Sequence, residues 1–147
     1  MQKLPHLYSI QAVGPGVGDV RVSSASVPDL VVEAPVEFDG PGDRWSPETL
    51  LAAAVGSCFI TTFRAIERSS HFEWASLTCA VDATLEKADG GLRFTNFDLD
   101  VDLTVEEEGM EERAHLLLEK TEKLCLITKS LRGATQMKAR VQVGAPR

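Results

Sequence analysis

Cysteine is scarce in this chain, with three in 147 residues. An odd, small number in a chain long enough to bury its own core excludes a secreted disulfide framework, so each thiol needs its own explanation. Basic clusters are missing too. With 15 Lys and Arg against 22 Asp and Glu the formal net charge is −7, which argues against a nucleic-acid partner. Long apolar runs are absent: the longest, Leu50 to Ile60, is too short to span a bilayer. Met1 to Ile10, with Pro5 and His6, lacks the charged-then-apolar layout of a signal segment. No linker or internal repeat is visible, and no CxxC or HxxxH spacing offers zinc a ligand set. These absences predict one soluble, cytoplasmic domain over residues 1–147, with no membrane and no metal.

What is present centres on Asp43 to Arg68, DRWSPETLLAAAVGSCFITTFRAIER. Ser46 suits an N-cap, Pro47 the first helical position, and Glu48 the positive end of the helix dipole. Leu50 through Phe63 then carry no charge before Arg64. A helix apolar on every face is wrapped by other elements, so a buried central helix carrying Cys58 at its middle is expected.

Around it, Leu7–Val13, Asp19–Ser24 and Leu30–Ala34 read as three short strands in a meander, with Gly14-Pro15-Gly16 as punctuation. A long hairpin follows. Ala75, Leu77, Cys79, Val81, Ala83 and Leu85 share one face of its first arm, and Asp89-Gly90-Gly91 makes the turn. On the return arm Phe97, Leu99, Val101, Leu103 and Val105 face in, with Asp98, Asp100 and Asp102 outward. Such an acidic row without histidine reads as the wet side of a sheet. A second helix starts near Met110, with Ala114, Leu117, Leu118, Thr121, Leu124, Cys125, Thr128 and Leu131 in one stripe up to Gly133. Thr135–Val143 is the last strand, with Met137, Ala139, Val141 and Val143 inward. This non-alternating order gives an α+β fold, with helices segregated to one side of antiparallel sheet.

Cys79, among Leu77 and Val81 on an inward strand face, reads as a small core hydrophobe. For Cys58 and Cys125 periodicity by itself favours core filling. Their placement on the inner faces of the two substantial helices sets the alternative, a peroxidatic and resolving couple in which a sulfenic acid condenses with the second thiol. A thiolate in an apolar helix needs positive charge nearby. Arg21 and Arg44 are the candidates, and Glu48 is a natural bidentate partner for such an arginine. Glu48 and Cys58 lie ten residues apart (58 − 48), about 15 Å along a straight helix, so they share a site only if two copies pack antiparallel. A homodimer with two shared sites is therefore expected. Phe38, Trp45 and Phe59 are candidates for an apolar substrate pocket, with core packing as the other reading, whereas His6, His71 and His115 read as exposed.

At these residues the chain resembles the OsmC/Ohr family of organic hydroperoxide reductases. The segments carrying the resemblance are GPGDRWSPETLLAAAVGSCF, Gly40 to Phe59, and EKLCLITKSL, Glu122 to Leu131. The resemblance implies an OsmC-like fold, with antiparallel sheets around the central helix in an intertwined homodimer. It implies Cys58 as peroxidatic and Cys125 as resolving thiol, with Glu48 orienting the activating arginine. Organic hydroperoxides as substrates, a dithiol such as a lipoyl group as reductant, and no cofactor are implied with them. The Ohr branch places its arginine in the glycine-rich turn before the second strand. Here that turn, Gly14 to Asp19, has none, and Arg21 and Arg44 remain. Leu126 follows Cys125 where Ohr members usually carry proline. The wording is closest to the OsmC-like branch.

Overall fold

The computed structural model describes residues 2–144. Its internal contacts gather into two compact units, Met1–Leu51 and Ala52–Arg147.

The first unit is built on a sheet of three antiparallel strands in the order β1 (Gln11–Val13), β2 (Val20–Ser23) and β3 (Leu30–Val32). These are shorter than their apolar patterns predict. The ladder explains the first: Gln11 pairs with Ser23, the last residue of β2, so Leu7 to Ile10 have no backbone partner to extend it. The third ends because the chain changes partner after Val32. Val32 bridges Trp45 in parallel, and the Glu33 N–H donates to the Trp45 carbonyl at 2.9 Å. A single 3-10 turn, Val36–Phe38, follows.

Helix α1 (Pro47–Ser70) starts as its sequence dictates. Ser46, buried, and Thr49 cap reciprocally: the Thr49 N–H donates to Ser46 Oγ at 3.1 Å and the Ser46 N–H to Thr49 Oγ1 at 2.9 Å. At 24 residues the helix outruns the apolar stretch that marks it, and by length and composition it could cross a membrane. The expectation of a helix wrapped on all sides fails for the single chain. Val55, Gly56, Phe59, Phe63 and Ile66 are buried, while Ala53, Ser57 and Thr61 on another face are exposed. The small residues leave the exposed side without a side chain large enough to reach a neighbour. At its far end His71 turns left-handed (φ 49°), and the Arg113 guanidinium donates to the Ser70 carbonyl while lying over the Phe72 ring.

The second unit carries the long hairpin, β4 (Trp74–Ala88) and β5 (Gly91–Val105). Asp89 and Gly90, both at positive φ (49° and 82°), form the two-residue turn that suits the strand twist. Phe97, Leu99, Val101, Leu103 and Val105 are buried as their alternation predicts. On β4 the alternation holds from Leu77 to Ala83 but not at Ala75 and Leu85, which are exposed. Register irregularities between Trp74 and Ser76 and between Thr84 and Leu85 lie at those two places, and a one-residue slip reverses the face. Burial of a large apolar side chain contributes roughly 1.5–3 kcal/mol, so this face of β5 is a main source of the unit's stability. Phe63 of α1 adds edge-to-face contacts with Phe72 and Trp74, with ring centroids 6.4 and 5.3 Å apart.

Three further expectations are corrected. The last strand, β6 (Ala134–Val143), pairs with β5 in parallel, so the second sheet, ordered β4-β5-β6, is mixed. A chain that leaves β5, passes through helices and returns to its neighbour re-enters in the same direction. Val143, at the end of this edge strand, is exposed rather than inward. The second helix is also not continuous: α2 (Glu111–Leu124) and α3 (Leu126–Ser130) are separated at Cys125, whose ψ of 113° is extended. Cys125 serves both ends. Its N–H closes α2 on the Thr121 carbonyl at 3.0 Å, and its own carbonyl accepts the Lys129 N–H at 3.2 Å and the Thr128 hydroxyl at 3.1 Å.

Candidate active site

The two helical thiols meet inside the second unit. Cys58 is half-buried on α1, Cys125 is buried at the α2–α3 break, both are free thiols, and each bears on the ionisation of the other. They are not equivalent. Burial on its own would raise the Cys58 pKa. The backbone N–H of Ile127, the Cys125 thiol, the Thr62 hydroxyl and the Leu126 N–H outweigh it, and the thiol is held below its ordinary value of 9.0. Cys125 moves the other way, raised first by burial and further by the neighbouring Cys58, against opposing bonds from Thr128. Of the pair, Cys58 is therefore the thiol whose ionisation is favoured, and Cys125 the one whose ionisation is disfavoured.

The break in the helix is what arranges these donors. In an unbroken helix the amides of Leu126 and Ile127 would be spent on carbonyls one turn back. With Cys125 extended they open a new helical turn, and their N–H groups are free for the Cys58 sulfur. Sequence reading had no proline or glycine to mark this break. Thr62, one turn beyond Cys58, was also passed over. Its Oγ1 is 3.8 Å from Cys58 Sγ.

Cys79 lies on β4, where α1 comes closest to the strand. A Cβ at Gly56 would meet Val81 Cγ2 at 3.2 Å and the Cys79 carbonyl at 3.4 Å, so glycine permits this approach. Burial, with a smaller contribution from Cys125, pushes the Cys79 thiol up to about 11. The residue is on the inward strand face that its position predicts, half-buried rather than fully in the core.

The remaining candidates belong to the first unit or to the core. Arg44 pairs with Asp19 at 3.4 Å and Asp43 at 3.0 Å, and Arg21 with Asp29 at 3.3 Å. The expected grip of Glu48 on an arginine is not made: among the described residues its buried Oε2 has no partner. The aspartates nearer each guanidinium have taken it instead. Glu48 lines a groove of about 430 Å³ whose other walls include Val22, Val32, Pro35, Phe38 and Leu50. Phe38 and Trp45 are half-exposed, whereas Phe59 is fully buried and is part of the core. In the acidic row of the sheet's outer face, Arg140 holds Asp102 through two bonds of 2.6 and 2.8 Å and Asp100 at 2.9 Å, and Asp98 accepts from the Asn96 amide at 2.6 Å. That guanidinium lowers the Asp102 pKa. Among the described residues no group of three or more His, Cys, Asp or Glu is placed to hold a metal.

A family model described as OsmC-like protein matches residues 40–140, a span that holds both paired cysteines. The chain belongs to the OsmC-like family. Among relatives, the uncharacterized protein YmaD of Bacillus subtilis is 24% identical over 145 residues, 95% of this chain and 97% of that protein. The fold is similar to an OsmC-like protein of unknown function from Vibrio cholerae (TM-score 0.85, 13% identity, covering 92% of this chain and 100% of the other). It is similar too to an organic hydroperoxide resistance protein from Elizabethkingia anophelis (TM-score 0.72, 24% identity, covering 96% and 100%). The α+β architecture is thus that of OsmC-like proteins.

Proposed function

We propose that the protein is a thiol-dependent peroxidase that reduces organic hydroperoxides to alcohols. The observation that carries this is the pair of free cysteines, half-buried Cys58 on α1 and buried Cys125 at the α2–α3 break, whose surroundings favour ionisation of the first and disfavour that of the second. The Cys58 thiolate attacks the outer oxygen of ROOH; the O–O bond breaks, the alkoxide takes a proton and leaves as ROH, and Cys58 becomes a sulfenic acid. The Cys125 thiol then attacks that sulfur, water leaves, and a Cys58–Cys125 disulfide forms. An external dithiol, of the lipoyl kind, takes the disulfide back to two thiols and is itself oxidised.

The reading includes a homodimer, in which antiparallel copies of α1 bring the Glu48 of one chain toward the Cys58 of the other. It is supported by the exposed small-residue face of α1 and by the Glu48 carboxylate oxygen that lacks a partner among the described residues. Arg44 or Arg21 would then be recruited to Glu48. Their present pairs with aspartates are exposed and worth about 1 kcal/mol or less, so exchange costs little. Phe38 and Trp45 would receive the apolar part of the substrate.

The test is steady-state reduction of cumene hydroperoxide and a fatty hydroperoxide against hydrogen peroxide, with dihydrolipoamide or a monothiol as donor. Turnover of the organic peroxides with the dithiol is expected; equal activity in Cys58→Ser would refute the mechanism. Light scattering should return twice the 16.0 kDa chain mass. A second reading, an apolar-ligand carrier in which the cysteines only pack, is favoured by the arginines' engagement with aspartates. It requires that Cys58 label no faster than an ordinary cysteine across pH.

A further inference from the structure

Serine and threonine hydroxyls within a helix ordinarily donate to a carbonyl on the preceding turn. In α1 Ser57 donates to Ala53, Thr61 to Ser57, and Ser69 and Ser70 to Ile66. Thr62 differs. Among the described residues its hydroxyl has one partner, Cys58 Sγ at 3.8 Å. A thiolate has no proton to give, so once Cys58 ionises this bond has a single direction, with the hydroxyl donating and the sulfur accepting. In the thiol state either atom can donate, so the contact favours the charged form.

We propose that Thr62 is a positioning residue for Cys58, its hydroxyl fixing the sulfur on the side of α1 that meets the amides of Leu126 and Ile127. The hydroxyl closes the cradle from α1, and the α2–α3 joint supplies the other donors. The titratable group facing the sulfur is Cys125 from that joint, and Cys125 in turn acts on Cys79 from β4. Among the described residues of this unit no charged side chain contributes to the ionisation of Cys58, so hydrogen-bond donors carry the effect there. The inference deepens the peroxidase reading by naming what readies its nucleophile. Its measurement does not need a peroxide.

The experiment follows iodoacetamide labelling of Cys58 in the fully reduced protein against pH, with the labelled peptide quantified by mass spectrometry. Thr62→Val keeps shape but removes the donor, and should raise the midpoint by roughly one unit, the scale of one charge-assisted hydrogen bond. Thr62→Ser, which restores the hydroxyl, should return it close to that of the unaltered chain. A role in packing alone predicts that Val, the better steric match, leaves the midpoint unmoved and that Ser disturbs it more; that result overturns the proposal. Should Thr62→Val fold poorly, Thr62→Ala against Thr62→Ser gives the same contrast. A shifted midpoint in a chain that turns over no hydroperoxide would sink the peroxidase reading and leave this one standing.

Discussion

The two compact units of this chain spend their apolar residues differently. In Ala52–Arg147 a stretch of sheet buries five side chains of one strand, and α1 and α2 contribute Phe59, Phe63, Leu118 and Thr121 to fully buried positions. In Met1–Leu51 three strands of three or four residues bury Val32 and little else, while Leu7, Tyr8, Ile10, Val13 and Phe38 remain exposed. One unit is finished by its own sequence. The other presents surface that a monomer has little reason to keep. The comparison teaches where each feature lies: both helical cysteines sit in the well-packed part, and most of the exposed apolar surface sits in the part that is not.

The largest effects should fall on the packed unit. On the peroxidase reading, Cys58→Ser should abolish hydroperoxide turnover, while Cys125→Ser should leave Cys58 without the proposed resolving thiol and prone to irreversible oxidation, visible by intact mass. Phe63→Ala, removing a fully buried ring with two aromatic neighbours, should cost about 3–5 kcal/mol in urea unfolding. The comparison sharpens with Phe38→Asp, which puts a charge in the groove of the first unit. It should lower the mass in light scattering toward the single chain and leave the second unit's helical signal intact. A dimer that survives that change would place the contact elsewhere.

Smaller effects probe the sulfur. Leu126→Pro suits the first position of α3, since Cys125 at φ −60° and ψ 113° already has the backbone that precedes proline. It deletes one N–H from Cys58, so the labelling midpoint should rise by roughly a unit or less. Cys79 gives the smallest signal and the opposite sign. Its pKa is raised from 9.0 to about 11, so the folded chain keeps a proton that the unfolded chain releases between those values. Its contribution to stability is therefore whole below pH 9 and lost as pH climbs toward 11. Cys79→Ala should flatten that decline in urea midpoints measured from pH 8 to 10.5.

Much of this was readable in the sequence because it depends on local periodicity. The alternation from Phe97 to Val105, the Asp89-Gly90 turn and the Ser46-Pro47 helix start follow from backbone geometry that neighbours in sequence fix. What escaped depends on distant partners. The faces of Ala75 and Leu85 turn on register slips against β5, and the parallel entry of β6 on how a crossover returns. The break at Cys125 has no proline or glycine to announce it, since an extended residue there is stabilised by what it caps on both sides. The two cysteines could be named from their helices. The amides of Leu126 and Ile127 could not, because backbone donors leave no letter in a sequence.

That break would also give the proposed thiol–disulfide cycle a backbone reporter. While Cys58 is an anion, the N–H groups of Leu126 and Ile127 have an acceptor that slows their exchange with solvent deuterium. Once sulfur is bonded to sulfur the negative charge is gone, and those two amides should exchange faster while the interior of α2 is unchanged. Deuterium uptake at this joint would then read out oxidation without a dye, a substrate or a mutation.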